Sequence, residues 1–480
     1  MKQFDPKNIR NVALLSHSGA GKTTLLEQLL FNKKIINRLG SVADGTSQVD
    51  FLPFEIEKKI SLTSKVFPIE EKEIKINMID TPGYPDFIGD SIGAITVCEN
   101  AVILIDAQAG VQIHTLKLWK VLKDYQKSKL IFVNKMDIEN ASFQKCMDSI
   151  TKQLTDKAVA IQIPVGEGAK FEGIIDLIKM KFYKAKADRT PPEILDIPDN
   201  LKDIVEDYRT KIIDAVAVTD DAMMERYLNG ETLSEQEIFE QLKKAIINDL
   251  LVPVLCGSSI KNCGLNNLFE KFIAMCASPL DRKIIEMENS NNPEEKAEID
   301  ITAQQPFAGL VFKTVVEDHL GEMSYIKCFC GTLKAGDEVL NSRTGTKERI
   351  NQITAMVGKN RIDLGELATG DIGVLVKLKD TKVGDTLKNS SFSYNFKAIN
   401  FPKPVLFNAI KAENKKDQEK LTSTIIALSQ SDPTIKVFTD KVFNEFIISG
   451  MGEAQLDLLL KKAKQKTNIN FEITPPRVPY

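Results

Sequence analysis

Over the first half of the chain, apolar residues fall into short runs separated by stretches with helical spacing. The runs from Val12 to Leu15, Ala101 to Asp106, Leu130 to Val133 and Leu251 to Cys256 read as buried strands. Lys65 to Ile69 and Ile74 to Ile79 read as a strand pair. Helical spacing follows from Leu25 to Leu30 and around Thr115 to Leu122. Alternating strands and helices predict a mostly parallel sheet covered on both faces, with ligands beyond the carboxyl ends of its strands. Residues of about 165–250 break this rhythm. They hold a short β-like piece (Phe171 to Ile178), a loop at Thr190-Pro191-Pro192, and helices near Leu201 to Val218 and Ser234 to Leu250, and they read as an insertion within a first domain of residues 1–284.

The pattern then changes twice. Residues 285–300 are Asn- and Glu-rich and read as a linker. Residues 301–400 alternate, as in Ser324 to Phe329, with Gly-Asp turn signals at 336–337, 370–371 and 384–385, which predicts an all-β barrel. Residues 401–475 run strand (Val405 to Ile410), helix (Asp417 to Leu428), two strands (Ile435 to Phe438, Phe446 to Ser449), helix (Glu453 to Lys464), strand (Ile469 to Ile473). That order is a split βαβ, ferredoxin-like unit. The expected architecture is therefore multidomain: α/β, then all-β, then α+β.

Composition narrows the class. A chain of 480 residues with 43% hydrophobic content suits about three folded domains. A net charge of −3 provides no global basic field, so any RNA contact must be a local patch, and DNA binding is not expected. The seven cysteines are scattered, without a C-x-x-C pair or neighbouring histidines, and read as reduced thiols. No signal core opens the chain and no run approaches membrane-spanning length, so a soluble, cytoplasmic protein with no membrane partner is expected.

Three stretches at predicted strand ends carry chemistry. The first is Ser16-His17-Ser18-Gly19-Ala20-Gly21-Lys22-Thr23-Thr24, close to the phosphate-loop pattern but with serine for its first glycine. Gly19 and Gly21 let the backbone N–H groups converge on an anion at a helix N-terminus; Lys22 adds charge for the β- and γ-phosphates, and the Thr23 hydroxyl suits Mg²⁺. The second is Asp80-Thr81-Pro82-Gly83, where Asp80 would hold Mg²⁺ through water and the Gly83 N–H would sense the γ-phosphate. The third is Asn134-Lys135-Met136-Asp137. The Asp137 carboxylate would accept two N–H bonds from guanine, and adenine would leave that charge unpaired. Asn134 would tie the base loop to the phosphate loop, and Lys135 would lie along the purine.

With these stretches in hand, nearly the whole chain resembles the translational GTPases, elongation factor G in particular. The run Val49 to Leu62 aligns without gaps to that family's first switch. Ser61 falls at its Mg²⁺-binding threonine, and Lys58-Lys59 replace its Arg-Gly. Gly257-Ser258-Ser259 resembles its guanine loop, Met224 to Leu228 its inserted subdomain, and Gly450 to Asp457 its third-domain signature. The resemblance implies a P-loop GTPase domain with an inserted subdomain, a β-barrel second domain and a ferredoxin-like third. It further implies GTP or GDP with Mg²⁺ as cofactors, GTP hydrolysis on the ribosome to drive translocation, local ribosome-binding patches and a monomer. Two departures bear on function. Tyr84 stands where the family has the histidine that orients the attacking water, as in divergent second-copy elongation factor G-like proteins. Residues 476–480 match the start of the connection into a fourth domain, so domains IV and V are expected to be absent, in a fragment or a short form. Two other readings stay open. One is a ribosome-docking GTP switch with negligible hydrolysis, which Tyr84 would separate; the other is a release-type GTPase, against which the insertion and the wording of residues 402–480 argue.

Overall fold

A computed structural model describes residues 2–282, 284–301, 304–317 and 321–477. Strand β1 (Ile9–Ser16) is buried at every position, which places it inside the sheet. β2 (Lys65–Glu71) and β3 (Ile74–Asp80) form the expected antiparallel pair, and β3 runs parallel to β1. β4 (Asn100–Asp106), β5 (Ser128–Asn134), β6 (Ala158–Ala160) and the later strand 252–256 complete a seven-stranded sheet. All its pairings except β2–β3 are parallel. Leu14 pairs with Asp80 and Asp106 with Asn134, so the three motif-bearing strand ends lie side by side.

Right-handed crossovers decide the layers. The chain moves from β1 to β3 through α1 (Lys22–Asn32), towards one edge. That path also carries the short α2 (Pro53–Lys58) ahead of β2; the chain returns across β1 to β4 through α3 (Ile88–Val97), then goes on to β5 through α4 (Ile113–Asp124) and outward by α5 (Phe143–Gln153). α3 and α4 consequently pack together on the face opposite α1.

Between β6 and the sheet's last member lie β7 (Gln162–Val165), β8 (Gly173–Asp176), β9 (Lys181–Lys184) and β10 (Glu193–Leu195), an antiparallel sheet of four. They are followed by α6 (Lys202–Ala217), α7 (Asp221–Leu228) and α8 (Glu235–Ile247). The chain then re-enters the main sheet at β11 (Val252–Cys256), and α9 (Leu265–Met275) packs beside α1.

The stretch 285–300, expected as a linker, is instead an antiparallel hairpin of β12 (Ile284–Asn289) and β13 (Lys296–Asp300). Its polar composition hides an alternation. Met287 is buried opposite Phe396, while Glu286 faces outward to Lys296 and Lys397. Among the described residues 306–390, β14 (Ala308–Glu317) and β15 (Gly321–Cys330) lie central in an eight-stranded antiparallel sheet. It wraps a core of Val311, Ile326, Leu333, Leu367 and Leu375, and the three Gly-Asp signals fall in turns. In the last unit the strands 436–440, 445–450, 406–412 and 471–474 lie in that spatial order. α10 (Lys415–Ser429) and α11 (Glu453–Thr467) close one side over Leu421, Ile425, Leu456 and Leu460. The last residues of the expected 476–480 connection, 478–480, lie outside the described residues.

Candidate functional site

The phosphate-loop stretch links the end of β1 to the first turn of α1. Gly21, at φ 91°, adopts a left-handed conformation as the cap of α1. A Cβ there would meet Asn134 Nδ2 at 2.6 Å, so both backbone freedom and crowding require glycine. The unpaired N–H groups of the first turn of α1 consequently point at one locus. Lys22 is buried there, and its Nζ donates to Ser16 Oγ at 2.7 Å. Burial lowers the Lys22 pKa, opposed by Asp80 and Asp50. The serine at the first glycine position thus gives the ammonium an acceptor. Gly83 stands directly against this loop: a Cβ on it would lie 2.7 Å from Lys22 Nζ and 2.9 Å from Ser18 Cα. Thr81 Oγ1 donates to Leu14 O at 2.6 Å and pins the Asp80-to-Gly83 turn to β1.

A second cluster lies beside Thr23. Its Oγ1 is 2.9 Å from Ser61 Oγ and 3.3 Å from Asp80 Oδ2. Ser61 in turn donates to Asp50 Oδ2 at 2.9 Å. Asp80 Oδ1 is buried with no hydrogen-bond partner among the described residues. Burial, then the Asp50 carboxylate, push the Asp80 pKa up to about 7 against the pull of Lys22 and Lys65. Two hydroxyls and two carboxylates, one of which carries the orphaned oxygen, are hard oxygen donors, and they fit Mg²⁺, which binds through few protein ligands plus substrate phosphates. No tighter cage of three His, Cys, Asp or Glu side chains exists among the described residues.

The segment carrying Ser61 is held by charges that sequence reading did not single out. Glu55 is fully buried and accepts from Leu52 N, Leu62 N and Lys65 Nζ. Lys65 also reaches Asp50 Oδ1 at 3.3 Å. Upstream, the Glu27 carboxylate on α1 accepts from Gly40 N, Gln48 N, Val49 N and Ser47 Oγ. No local signal marks these partners, because a buried glutamate and a solvated one look alike in sequence. Lys59, at φ 56°, occupies the left-handed conformation that glycine adopts most freely.

The third cluster joins three loops. Asn134 Nδ2 donates to Ala20 O at 2.9 Å, and its Oδ1 accepts from Ser259 N and Oγ at 3.0 and 2.9 Å. Met136 N donates to Gly257 O, and Ser258 is paired through its backbone with Cys263 in both directions. Lys135 Nζ is held 2.9 Å from Asp106 Oδ2. The Asp137 carboxylate has no protein partner among the described residues and is partly exposed. His17, Ser18, Thr24 and Pro82 complete the same end of the sheet.

Two further side chains stand out. His114 packs edge-on to His17, with ring centroids 6.4 Å apart, fully buried and with neither nitrogen partnered among the described residues. Burial, then Lys22 and His17, lower the His114 pKa to about 3. Tyr84 is 40% exposed, and its hydroxyl has no partner among the described residues.

Comparison with known proteins matches three parts of the chain. Residues 7–278 match the family of the elongation factor Tu GTP binding domain, 306–390 that of elongation factor G domain 2, and 401–475 that of elongation factor G domain III. Among solved structures, a protein from Thermus thermophilus superposes with a TM-score of 0.87 at 25% identity, over 98% of this chain and 68% of that one.

Proposed function

The chain belongs to the elongation factor G-like translational GTPases, built on the GTP binding domain of elongation factor Tu, and from that premise we propose that it hydrolyses GTP on the ribosome to drive translocation. The observation that carries the reading is the convergence, at one sheet end, of the Lys22 loop, the Thr23–Ser61–Asp80 cluster and the Asn134-anchored loop. Guanine would lie between Asp137 and Lys135, with Gly257 to Ser259 behind it, and the phosphates on the N–H groups of Gly19 to Thr24. Thr23, Ser61 and, through water, Asp80 would hold Mg²⁺, which when bound neutralises charge on the β- and γ-phosphates.

Lys22 would bind the same oxygens, and the Gly83 N–H would hydrogen-bond the γ-phosphate. Water attacks the γ-phosphorus and GDP leaves, so positioning and charge carry most of the acceleration. Tyr84 would orient that water with a neutral phenol, whose pKa is ordinarily near 10, where a charged imidazole would add electrostatic stabilisation. Its exposure and lack of a partner favour a second reading, a GTP switch that docks on ribosomes with negligible hydrolysis. In either case local patches, not net charge, would contact ribosomal RNA and protein, with the chain acting as a monomer.

Single-turnover hydrolysis with and without ribosomes separates the two. Under the first reading ribosomes accelerate hydrolysis, and Tyr84→His raises the stimulated rate while leaving GTP affinity within a few-fold. No acceleration in either protein, with GTP-dependent ribosome binding intact, selects the switch.

A further inference from the structure

One buried lysine of the barrel unit touches both segments that flank the phosphate site. Lys313, on β14, is 4% exposed. Its Nζ donates to Thr63 Oγ1 and Ser64 O and lies 3.4 Å from Asp90 Oδ2. The same Asp90 oxygen accepts from Thr63 Oγ1 at 2.8 Å and from Ser64 N. Thr63 and Ser64 follow closely on the cation-site Ser61, and Asp90 is the third residue of α3, just beyond Gly83 and Tyr84. A single ammonium from another domain therefore closes a knot between the chain leaving the Ser61 segment and the helix leaving the Gly83 segment. Burial works to raise the Asp90 carboxyl, but Lys313 and Ser64 N–H more than offset it and leave its pKa below the usual range. Burial lowers Lys313 from its ordinary value, with Asp90 opposing.

Docking of the barrel does not need this charge. The α3 and β14 backbones touch at Gly93, where a Cβ would lie 2.6 Å from Phe312 O, and Phe312 packs edge-on against Tyr325. The separate pairs Lys75–Asp371 and Lys327–Glu99 span the same interface. What Lys313 adds is directional: four oxygens from two segments, gathered around one donor.

We propose that Lys313 is a positioning residue for the GTP state, holding the Ser61 segment and α3 in one mutual arrangement so that the barrel is coupled to the γ-phosphate. The inference rests on the GTP-binding reading above. In GTPases the γ-phosphate and its metal order these two segments, and hydrolysis releases them. A residue that favours the ordered arrangement must therefore favour GTP over GDP by the same factor.

The test compares Lys313→Met, Lys313→Arg and the neutral pair Lys313→Met with Asp90→Asn, each in the full chain. Affinities for a non-hydrolysable GTP analogue and for GDP are measured, together with tryptic cleavage after the exposed Lys58-Lys59. Charge-assisted bonds of this type imply a loss of about tenfold in the GTP:GDP affinity ratio for Lys313→Met. GDP affinity should stay within about twofold, cleavage with the GTP analogue bound should accelerate, and Lys313→Arg should retain most of the preference. The double variant removes the stranded Asp90 charge, so it reports even if the single variant does not fold, and it should show the same loss. A wild-type ratio and cleavage rate in either folded variant overturns the inference, as does an equal loss for both nucleotides. If the wild-type chain binds neither nucleotide, the parent reading fails and takes this one with it.

Discussion

At the residue scale, Asp137 and His114 make opposite statements about desolvation. Asp137 is an acceptor without a protein donor among the described residues, as a base-reading carboxylate should be. Asp137→Asn replaces two charged acceptor contacts, so GTP affinity should fall roughly hundredfold while xanthosine triphosphate gains, measured by competition binding. Retained GTP affinity would remove this loop from guanine recognition. His114 is buried and kept neutral, with its pKa lowered to about 3 against about 6.5 unfolded. Between those values the unfolded chain binds the extra proton, so stability rises with pH and is lost on acidification, by about 1.4 kcal/mol per pH unit at most. His114→Gln should therefore flatten the loss of thermal stability between about pH 6.5 and 5. Equal pH slopes in both proteins would show that His114 is not the responsible group. The place of Asp137 was legible because it belongs to a contiguous tetrapeptide at a strand end. The place of His114 was not, since the packing of α4 against β1 brings it to His17 across nearly a hundred residues.

At the element scale, apolar spacing located the parallel strands and most helices, because buried strands and amphipathic helices leave periodic marks. It was silent on residues 33–52, where no period exists, and misleading at 285–300, where glutamates and asparagines occupy the outward positions of a hairpin. The first of these segments is ordered from α1 instead. Glu27 supplies acceptors for Gly40, Gln48, Val49 and Ser47, so Glu27→Ala strands several donors together. Bonds to a buried charge are worth about 1.5–3 kcal/mol each, though not additively. We expect hydrogen exchange at Gly40, Gln48 and Val49 to accelerate by roughly tenfold or more, far beyond any change in α9 on the other side of α1. Uniform acceleration would indicate global destabilisation and no specific fastening.

At the scale of the whole molecule, the nucleotide unit and the barrel meet across charges sealed from water. Lys75 is 1% exposed and pairs with Asp371, which also accepts from Asn77. Removing one member of such a pair leaves an uncompensated charge at a cost of about 3–5 kcal/mol, whereas removing both can be near neutral. Asp371→Ala should thus lower the unfolding midpoint clearly, and adding Lys75→Met should restore most of it, in denaturant titrations followed by circular dichroism. A single variant as stable as the wild type would mean that solvent reaches Lys75. The third unit also reaches the phosphate side: Asp86 Oδ2 accepts from Ala454 N at the start of α11, and Lys461 of the same helix pairs with Glu57. Each segment flanking the site is therefore contacted by a domain remote in sequence.

The sequence by itself determined the order of most elements, the three strand-end motifs and the family to which they belong. These depend on contiguous residues, where side-chain period and backbone freedom are written locally. Only the tertiary structure decided which of the chain's charged side chains lose their water. Glu27, Asp50, Glu55, Lys65, Asp90 and Lys313 are indistinguishable from surface charges when read in a line. Their partners lie up to 250 residues away, and their strength comes from the low dielectric that only packing creates.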